Sequence, residues 1–270
     1  MLLFWILLTV VVCFFLYLYM IMPNTSRRSK ILLSQRDYAH RGLHDSSRLI
    51  PENSMLAFRE AVKQNLAIEL DIHLTRDGKV VVFHDESLKR ICNAEGTVED
   101  STFDTLQHLH LSGTSEHMPL FSDVLRYVNG RVPLLIELKL PDSNMKLCPA
   151  AWDILKDYKG PYMVQSFNSL GIRWFHKHAP QVLRGQLSSA LTRTNPENPF
   201  LARFCVQFLL TNLICRPDFI SYKLADAGNP SVWLNHYLYR IPMQSGHSAI
   251  KKLIKLHGIN MICISLKVSP

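Results

Sequence analysis

The chain has 270 residues, of which 47% are hydrophobic and 19% charged, and its formal net charge is +8. This length and apolar content provide one large core, either a single domain of barrel size or two smaller domains. The positive charge suits nucleic acid, anionic lipid or a phosphate-bearing substrate. Nucleic acid is not expected as a partner, because the sequence has no nucleic-acid-binding motif and no basic run longer than Arg27-Arg28. No protein partner can be inferred.

Residues 1–22 contain no charged side chain and predict a transmembrane helix. Such a helix would span roughly 33 Å, more than the hydrocarbon core of about 30 Å. A cleaved signal peptide is the alternative, although a basic n-region and a small-residue cleavage site are not obvious. Basic residues in the following linker, 23–36, place the remaining chain in the cytoplasm by the positive-inside rule. The six cysteines are scattered, which indicates reduced thiols and agrees with that location.

Strand-like and helix-like runs alternate through residues 37–270. The predicted strands are 37–40, 68–73, 133–139, 162–166, 183–187, 218–222, 241–244 and 260–265. Eight strands separated by helices predict a parallel α/β fold, an eight-stranded TIM barrel whose site lies at the carboxyl ends of the strands. One helix-like run, 199–215, is apolar nearly all round. It is interpreted either as an outer helix buried by its neighbours or as an interfacial helix that holds the site against a membrane.

The stretch 67–85, AIELDIHLTRDGKVVVFHD, carries the first candidate site. Side chains alternate along a strand, so Glu69 and Asp71 share one face. Two carboxylates on a buried face need a cation or a proton. A hairpin turn at residues 77–78 would return His84 towards the end of this strand. Oxygen ligands beside an imidazole indicate a hard divalent cation and acid/base chemistry, whereas an edge hairpin with charges facing water is the alternative.

Two segments near the first predicted strand are expected to join this site. His40 and Arg41 end that strand, and an arginine fork suits a phosphate. Glu52 precedes the next helix and would reach into the pocket, while Asn53 would cap that helix.

Two later strands contribute the remaining candidates. Glu137 and Lys139 share one face, where they either pair with each other or supply a third metal carboxylate and a phosphate-binding lysine. Gln165 and Phe167 end the next strand and would line the pocket, although Phe167 equally suits the core.

Six motifs, in this order and spacing, resemble the glycerophosphodiester phosphodiesterase family, of bacterial type and here with a membrane anchor. They are AHRG (39–42), PENS (51–54), ELDIHLTRDG (69–78), VVFHD (81–85), ELK (137–139) and QSF (165–167). The resemblance covers about residues 38–222. It implies a TIM barrel with a small insertion after strand 2, here 86–120, and metal-dependent hydrolysis of glycerophosphodiesters to glycerol 3-phosphate and an alcohol.

The resemblance also implies a role for each candidate residue. The catalytic acid/base pair would be His40 and His84, the metal ligands Glu69, Asp71 and Glu137, and the substrate-binding residues Arg41, Lys139, Glu52, Gln165 and Phe167. All-oxygen ligation restricts the single divalent cation to Ca²⁺ or Mg²⁺, with Mn²⁺ as a further option. The expected organisation is an anchor (1–22), a linker (23–36) and the barrel (37–270).

The chain departs from the family after the seventh predicted strand. Family members carry a Trp-Thr pair where this chain reads IPMQSGH (241–247), and little follows the last predicted strand. Two alternatives therefore stay open beside the hydrolysis of soluble glycerophosphodiesters. One is a lysophospholipase D that acts on membrane lysolipids, which the anchor and the apolar run 199–215 favour. The other is a degenerate barrel that binds phospholipid headgroups without turnover.

Overall fold

A computed structural model of the chain describes residues 1–24, 37–141, 144–194, 199–245 and 261–263. Most of the predicted basic linker, 23–36, lies outside the described residues. So do the end of the IPMQSGH segment and half of the last predicted strand.

The first helix, α1 (Leu2–Ile21), matches the predicted transmembrane segment. It has a mean hydropathy of 2.6 over an 18-residue window, and its first fifteen residues are exposed. It is long and apolar enough to cross a bilayer, a property that signal sequences share. Its last residue, Ile21, is completely buried against the rest of the chain.

One sheet forms the centre of the molecule. Its strands are β1 (Tyr38–Ala39), β2 (Ala67–Leu74), β3 (Val80–Val82), β4 (Leu134–Leu138), β5 (Tyr162–Ser166), β6 (Leu183–Ser188), β7 (Phe219–Tyr222), β8 (Met243–Ser245) and β9 (Met261–Cys263). Eight of them run parallel in the order β1-β2-β4-β5-β6-β7-β8-β9, and β3 returns antiparallel to β2 as the hairpin prediction requires. Within the described ranges, β1 and β9 do not pair with each other.

Helices cover the sheet between consecutive parallel strands from β1 to β8. They are α2 (Met55–Lys63), α3 (Lys89–Cys92), α4 (Phe103–Leu106), α5 (Phe121–Val128), α6 (Leu147–Leu155), α7 (Ser169–His178), α8 (Leu191–Thr194), α9 (Phe200–Gln207), α10 (Asn212–Cys215) and α11 (Pro230–Tyr237). In α5, Phe121, Val124, Leu125 and Val128 are buried, the spacing of one helical face. The helix ends where Asn129 takes a left-handed conformation.

The predicted insertion, 86–120, contains α3 and α4 and has a small core of its own. Phe83, Leu88, Val98 and Leu106 belong to this separate apolar cluster. The insertion therefore packs as a compact unit beside the β2–β3 hairpin.

The apolar run 199–215 forms two short helices instead of one. A left-handed residue, Leu209, lies between α9 and α10. No residue of α9 is buried, whereas Asn212 and Cys215 of α10 are. The interpretation as one outer helix buried by its neighbours is therefore wrong for α9.

Candidate active site

Three carboxylates meet on two adjacent strands. β2 and β4 are paired with Asp71 opposite Glu137, and Glu69 lies two residues earlier on the same face of β2. All three residues are buried, and one oxygen of each lies within 4.8 Å of the others. The structure thus brings together the three residues that the sequence analysis predicts as metal ligands.

Lys139 supplies the positive charge nearest to these carboxylates. Its Nζ lies 3.0 Å from Asp71 Oδ1 and also donates to Glu137. Burial and the two neighbouring acids raise the pKa of Glu69 well above its ordinary value. Burial opposes ionisation of Asp71 too, but Lys139 and other nearby cations outweigh it and hold the Asp71 pKa below its ordinary value. The site therefore contains ionised and protonation-prone carboxylates side by side.

This donor set fits a hard divalent cation. Asp71 Oδ1 is buried and makes no hydrogen bond with the described residues, in spite of the nearby ammonium group, so it keeps lone pairs for a ligand. The three carboxylates also outnumber the two nearest cations, Lys139 and Arg41. Carboxylate oxygens are the ligands that Ca²⁺ and Mg²⁺ prefer.

The turn after β1 places His40 and Arg41 above the carboxylates. Arg41 and Gly42 have φ of 55° and 79°, and the Arg41 backbone N–H donates to Glu69 Oε2 at 2.9 Å. A Cβ on Gly42 would lie 2.8 Å from the Cβ of Ala57, so this position requires glycine. Burial and the Arg41 guanidinium lower the pKa of His40 to about 4. His40 is therefore a neutral imidazole at pH 7.

The segment after this turn differs from its prediction in one respect. Ser54, not Asn53, caps α2 by accepting from the N–H of Ala57. Asn53 has a φ of 53° and donates through Nδ2 to Asp71 Oδ2 at 2.9 Å. The capping role predicted for Asn53 is wrong, because its side chain binds a candidate metal ligand instead.

His84 follows β3 and forms a pair with its neighbour. Its Nδ1 lies 2.6 Å from Asp85 Oδ1. Burial lowers the pKa of His84, although Asp71 and Asp85 act in the opposite direction. Behind it, the fully buried His73 lies 3.2 Å from the His84 carbonyl through Nε2 and contacts Glu99 through Nδ1. His73 therefore supports the His84 backbone.

Arg90, which the sequence analysis missed, connects both halves of the site. From α3 it donates to Asp85 at 2.5 Å and to Glu52 at 2.7 Å. Glu52 in turn contacts Arg41 Nη1 at 2.7 Å. Burial opposes ionisation of Asp85, but Arg90 and His84 outweigh it and lower the Asp85 pKa to about 2. The local sequence signal that could have revealed this network is Asp85, a carboxylate directly after His84.

Gln165 and Phe167 occupy different environments. Gln165 is buried beside Glu137, and its Oε1 accepts from Ser221 at 2.7 Å. Phe167 is 40% exposed, so the alternative of a core position is wrong.

Comparison with known proteins agrees with this arrangement. Residues 40–212 match the sequence model of the glycerophosphoryl diester phosphodiesterase family. The chain belongs to this family. A glycerophosphodiester phosphodiesterase of Bacillus altitudinis is 32% identical over 162 residues, which are 54% of this chain and 63% of that protein. Glycerophosphodiester phosphodiesterase 1 of Bos taurus is 36% identical over 208 residues, 74% of this chain and 56% of that protein.

Solved structures of the family share the fold. A phosphodiesterase of Oleispira antarctica in complex with the product sn-glycerol-3-phosphate has a TM-score of 0.66 at 21% identity, over 85% of this chain and 92% of that chain. A glycerophosphodiester phosphodiesterase of Thermotoga maritima has a TM-score of 0.63 at 22% identity, over 84% and 92%. The predicted TIM-barrel fold is confirmed. The chain spans less than two thirds of the length of the two relatives named above.

Proposed function

We propose that this chain is a glycerophosphodiester phosphodiesterase that hydrolyses its substrate to glycerol 3-phosphate and an alcohol. The observation that carries the proposal is the buried cluster of Glu69, Asp71 and Glu137 below His40 and Arg41, in a chain of this family. Relatives that carry the enzyme name and the Oleispira antarctica product complex support it.

The carboxylate cluster would hold one divalent cation, Ca²⁺ or Mg²⁺, with Mn²⁺ as a further option. When bound, the cation supplies positive charge that stabilises the phosphodiester as its negative charge rises on attack. Arg41 and Lys139 add fixed positive charge at the same place, and Glu52 holds the Arg41 guanidinium in position. Gln165 and Phe167 would line the substrate pocket.

The environments of the two imidazoles suggest their roles. His40 is held neutral by burial and by Arg41, so it suits the base that accepts the proton of the nucleophile. His84 differs in that its Nδ1 contacts Asp85 Oδ1 at 2.6 Å, and this carboxylate opposes the burial that lowers the His84 pKa, so His84 suits the acid. As the nucleophile–phosphorus bond forms and the phosphorus–alkoxide bond breaks, His84 would donate its proton to the departing oxygen. The nucleophile is water, or a substrate hydroxyl that first forms a cyclic phosphate.

We further propose that α1 is a retained single-pass membrane anchor. Its last turn makes specific contacts with the barrel: Asn212 Nδ2 donates to the Ile21 carbonyl at 2.8 Å, and Arg216 Nη1 donates to the Met22 carbonyl at 2.7 Å. A segment removed after secretion has no need of such partners. By the positive-inside rule, the basic residues of the linker 23–36 support a barrel on the cytoplasmic side.

Release of glycerol 3-phosphate from glycerophosphocholine by the detergent-solubilised chain tests the enzymatic proposal. We expect release with Ca²⁺ or Mg²⁺, none with a chelator, and at least a hundredfold lower turnover, on the order of the usual acid/base contribution, in His40→Ala and His84→Ala. The exposed His117→Ala is the matched control. Release that is independent of metal, or full activity in either variant, would contradict the mechanism.

A degenerate barrel that binds headgroups without turnover is the second candidate, and the altered sequence 241–247 is the observation that favours it. Metal-dependent product release in the same assay rules it out. A third candidate is lysophospholipase D activity. It differs from the first candidate in that the substrate is a lysolipid in the membrane and not a soluble glycerophosphodiester.

A further inference from the structure

The end of α1 is fixed at the amino-terminal edge of the sheet, opposite the active site. The Asn24 backbone N–H donates to the Pro217 carbonyl at 2.9 Å, and its Nδ2 donates to Asp218 Oδ1 at 2.7 Å. Asp218 directly precedes β7. The C-terminal end of α1 is therefore level with the start of that strand.

An earlier residue of α1 lies near the catalytic end. Tyr17 Oη is 2.7 Å from Ser231 Oγ, and Ser231 belongs to the first turn of α11, which follows the carboxyl end of β7. Residues 17–21 advance about 6 Å at helical rise and the non-helical residues 22–24 add at most about 10 Å, which is comparable with the roughly 13 Å of the four-residue β7. The axis of α1 thus runs along the barrel from the catalytic end to the opposite end. Residues 2–16, all exposed, continue about 22 Å beyond the catalytic end.

Exposed apolar side chains lie at that same end. Helix α9 is held there because Tyr222, the last residue of β7, donates its hydroxyl to the carbonyl of Gln207. Within α9, Phe200 is 63% and Leu201 is 72% exposed. Leu49, in the connection from β1 to α2, is 70% exposed. We call Leu49, Phe200 and Leu201 the apolar rim.

A basic side chain accompanies this rim. The Arg203 guanidinium of α9 donates to the carbonyls of Leu191 and Thr192 and lies over the Phe200 ring, 5.8 Å from its centroid. Apolar side chains beside a cation on a short helix are typical of surfaces that enter the headgroup layer of a bilayer. Since α1 extends from the same end of the barrel, a single membrane would contact both α1 and the apolar rim.

We propose that the catalytic end of the barrel lies against the bilayer that α1 enters, with the apolar rim in the headgroup layer. The active site would then open onto the lipid surface, so its substrate would be a glycerophosphodiester that keeps an acyl chain and lies in the bilayer. This inference rests on the proposed phosphodiesterase function and on membrane insertion of α1.

The test compares two substrates with the full chain reconstituted in phosphatidylcholine nanodiscs. One is lysophosphatidylcholine in the disc and the other is glycerophosphocholine in solution. We expect the triple variant Leu49→Ser, Phe200→Ser, Leu201→Ser to lose about tenfold or more in kcat/KM on the lysolipid, because partial burial of three large apolar side chains exceeds the 1.4 kcal/mol of a tenfold change. Turnover of the soluble substrate should change less than about twofold, since a factor of two is under 0.5 kcal/mol.

The matched control is Leu238→Ser, a residue 52% exposed at the far end of α11. It should leave both rates unchanged. If the triple variant cleaves lysolipid as fast as the unaltered chain does, the inference is wrong. If the unaltered chain cleaves neither substrate, the proposed function itself fails, which is a different result.

Depth of insertion gives a readout that is independent of turnover. We expect brominated phosphatidylcholine to quench the added fluorescence of Leu201→Trp but not that of Leu238→Trp. Discs that hold one copy of the chain exclude a second copy as the cover of the rim. Absence of quenching at position 201 in such discs would overturn the proposed orientation.

Discussion

Lys139 is expected to act as an internal counter-ion that the metal can replace, and Lys139→Met tests this. The Lys139 side chain is 17% exposed and contacts both Asp71 and Glu137. Removing one partner of a buried ion pair costs about 3–5 kcal/mol, because the remaining charge is left uncompensated. Partial exposure and the readiness of Glu69 to take a proton favour the lower figure, about 3 kcal/mol.

The assay is thermal unfolding in detergent, followed by fluorescence with a chelator and with Ca²⁺ or Mg²⁺. For a domain of this size, about 3 kcal/mol corresponds to a fall of roughly 6–12 °C in Tm with the chelator. Saturating metal should restore most of this loss, because the cation then neutralises the carboxylates. The metal-induced rise in Tm should therefore be larger in Lys139→Met than in the unaltered chain.

Two control variants separate charge from other effects. Lys139→Arg keeps the charge and should show the unaltered metal response. Lys156→Met removes an exposed lysine that pairs with Asp153, and it should change neither Tm nor the metal response. An equal metal-induced rise in Lys139→Met and the unaltered chain would refute the counter-ion role.

Gly42→Ala is expected to lower kcat on glycerophosphocholine more than Gly78→Ala, because both have φ near +78° but only Gly42 is crowded within 4 Å. Arg90→Gln should lower kcat roughly tenfold, the scale of lost orienting contacts, since it frees Asp85 from its guanidinium partner. The pKa of His40 falls from 6.5 to about 4 on folding, so unfolded chains bind more protons between these values and stability falls as the pH falls through them. Denaturant unfolding should show this loss, up to about 3 kcal/mol, in the unaltered chain but not in His40→Gln; matching slopes would contradict it.

The sequence was sufficient to predict the strand that carries the acids. Alternation along β2 put Glu69 and Asp71 on one face, and the turn at residues 77–78 returned His84 beside it, because both rules depend on local geometry alone. The order of parallel strands followed from the alternation of elements. These features needed no long-range information.

Contacts between distant segments could not be predicted in the same way. Arg90 and Glu52 are 38 residues apart, and their contact depends on how the insertion packs beside the β1–α2 connection. The break between α9 and α10 falls at Leu209, whose left-handed backbone has neither glycine nor proline to signal it. The cap of α2 was assigned one residue early, because Asn53 and Ser54 both suit an N-cap and only the fold shows that Asn53 is committed to Asp71.

Two strained turns orient the carboxylates of the candidate metal site. Arg41 and Asn53 both have positive φ, a conformation that costs non-glycine residues free energy and persists where neighbouring contacts hold it. Here the contacts are mutual: the Asn53 N–H donates to the Arg41 carbonyl at 2.8 Å, the Arg41 N–H donates to Glu69, and the Asn53 amide donates to Asp71. The Arg41 N–H and the Asn53 amide each satisfy one lone pair of a buried carboxylate and leave other lone pairs for a ligand. The strain in the turns is therefore what fixes the direction of the oxygens, and relaxing either turn would misorient a carboxylate without removing it.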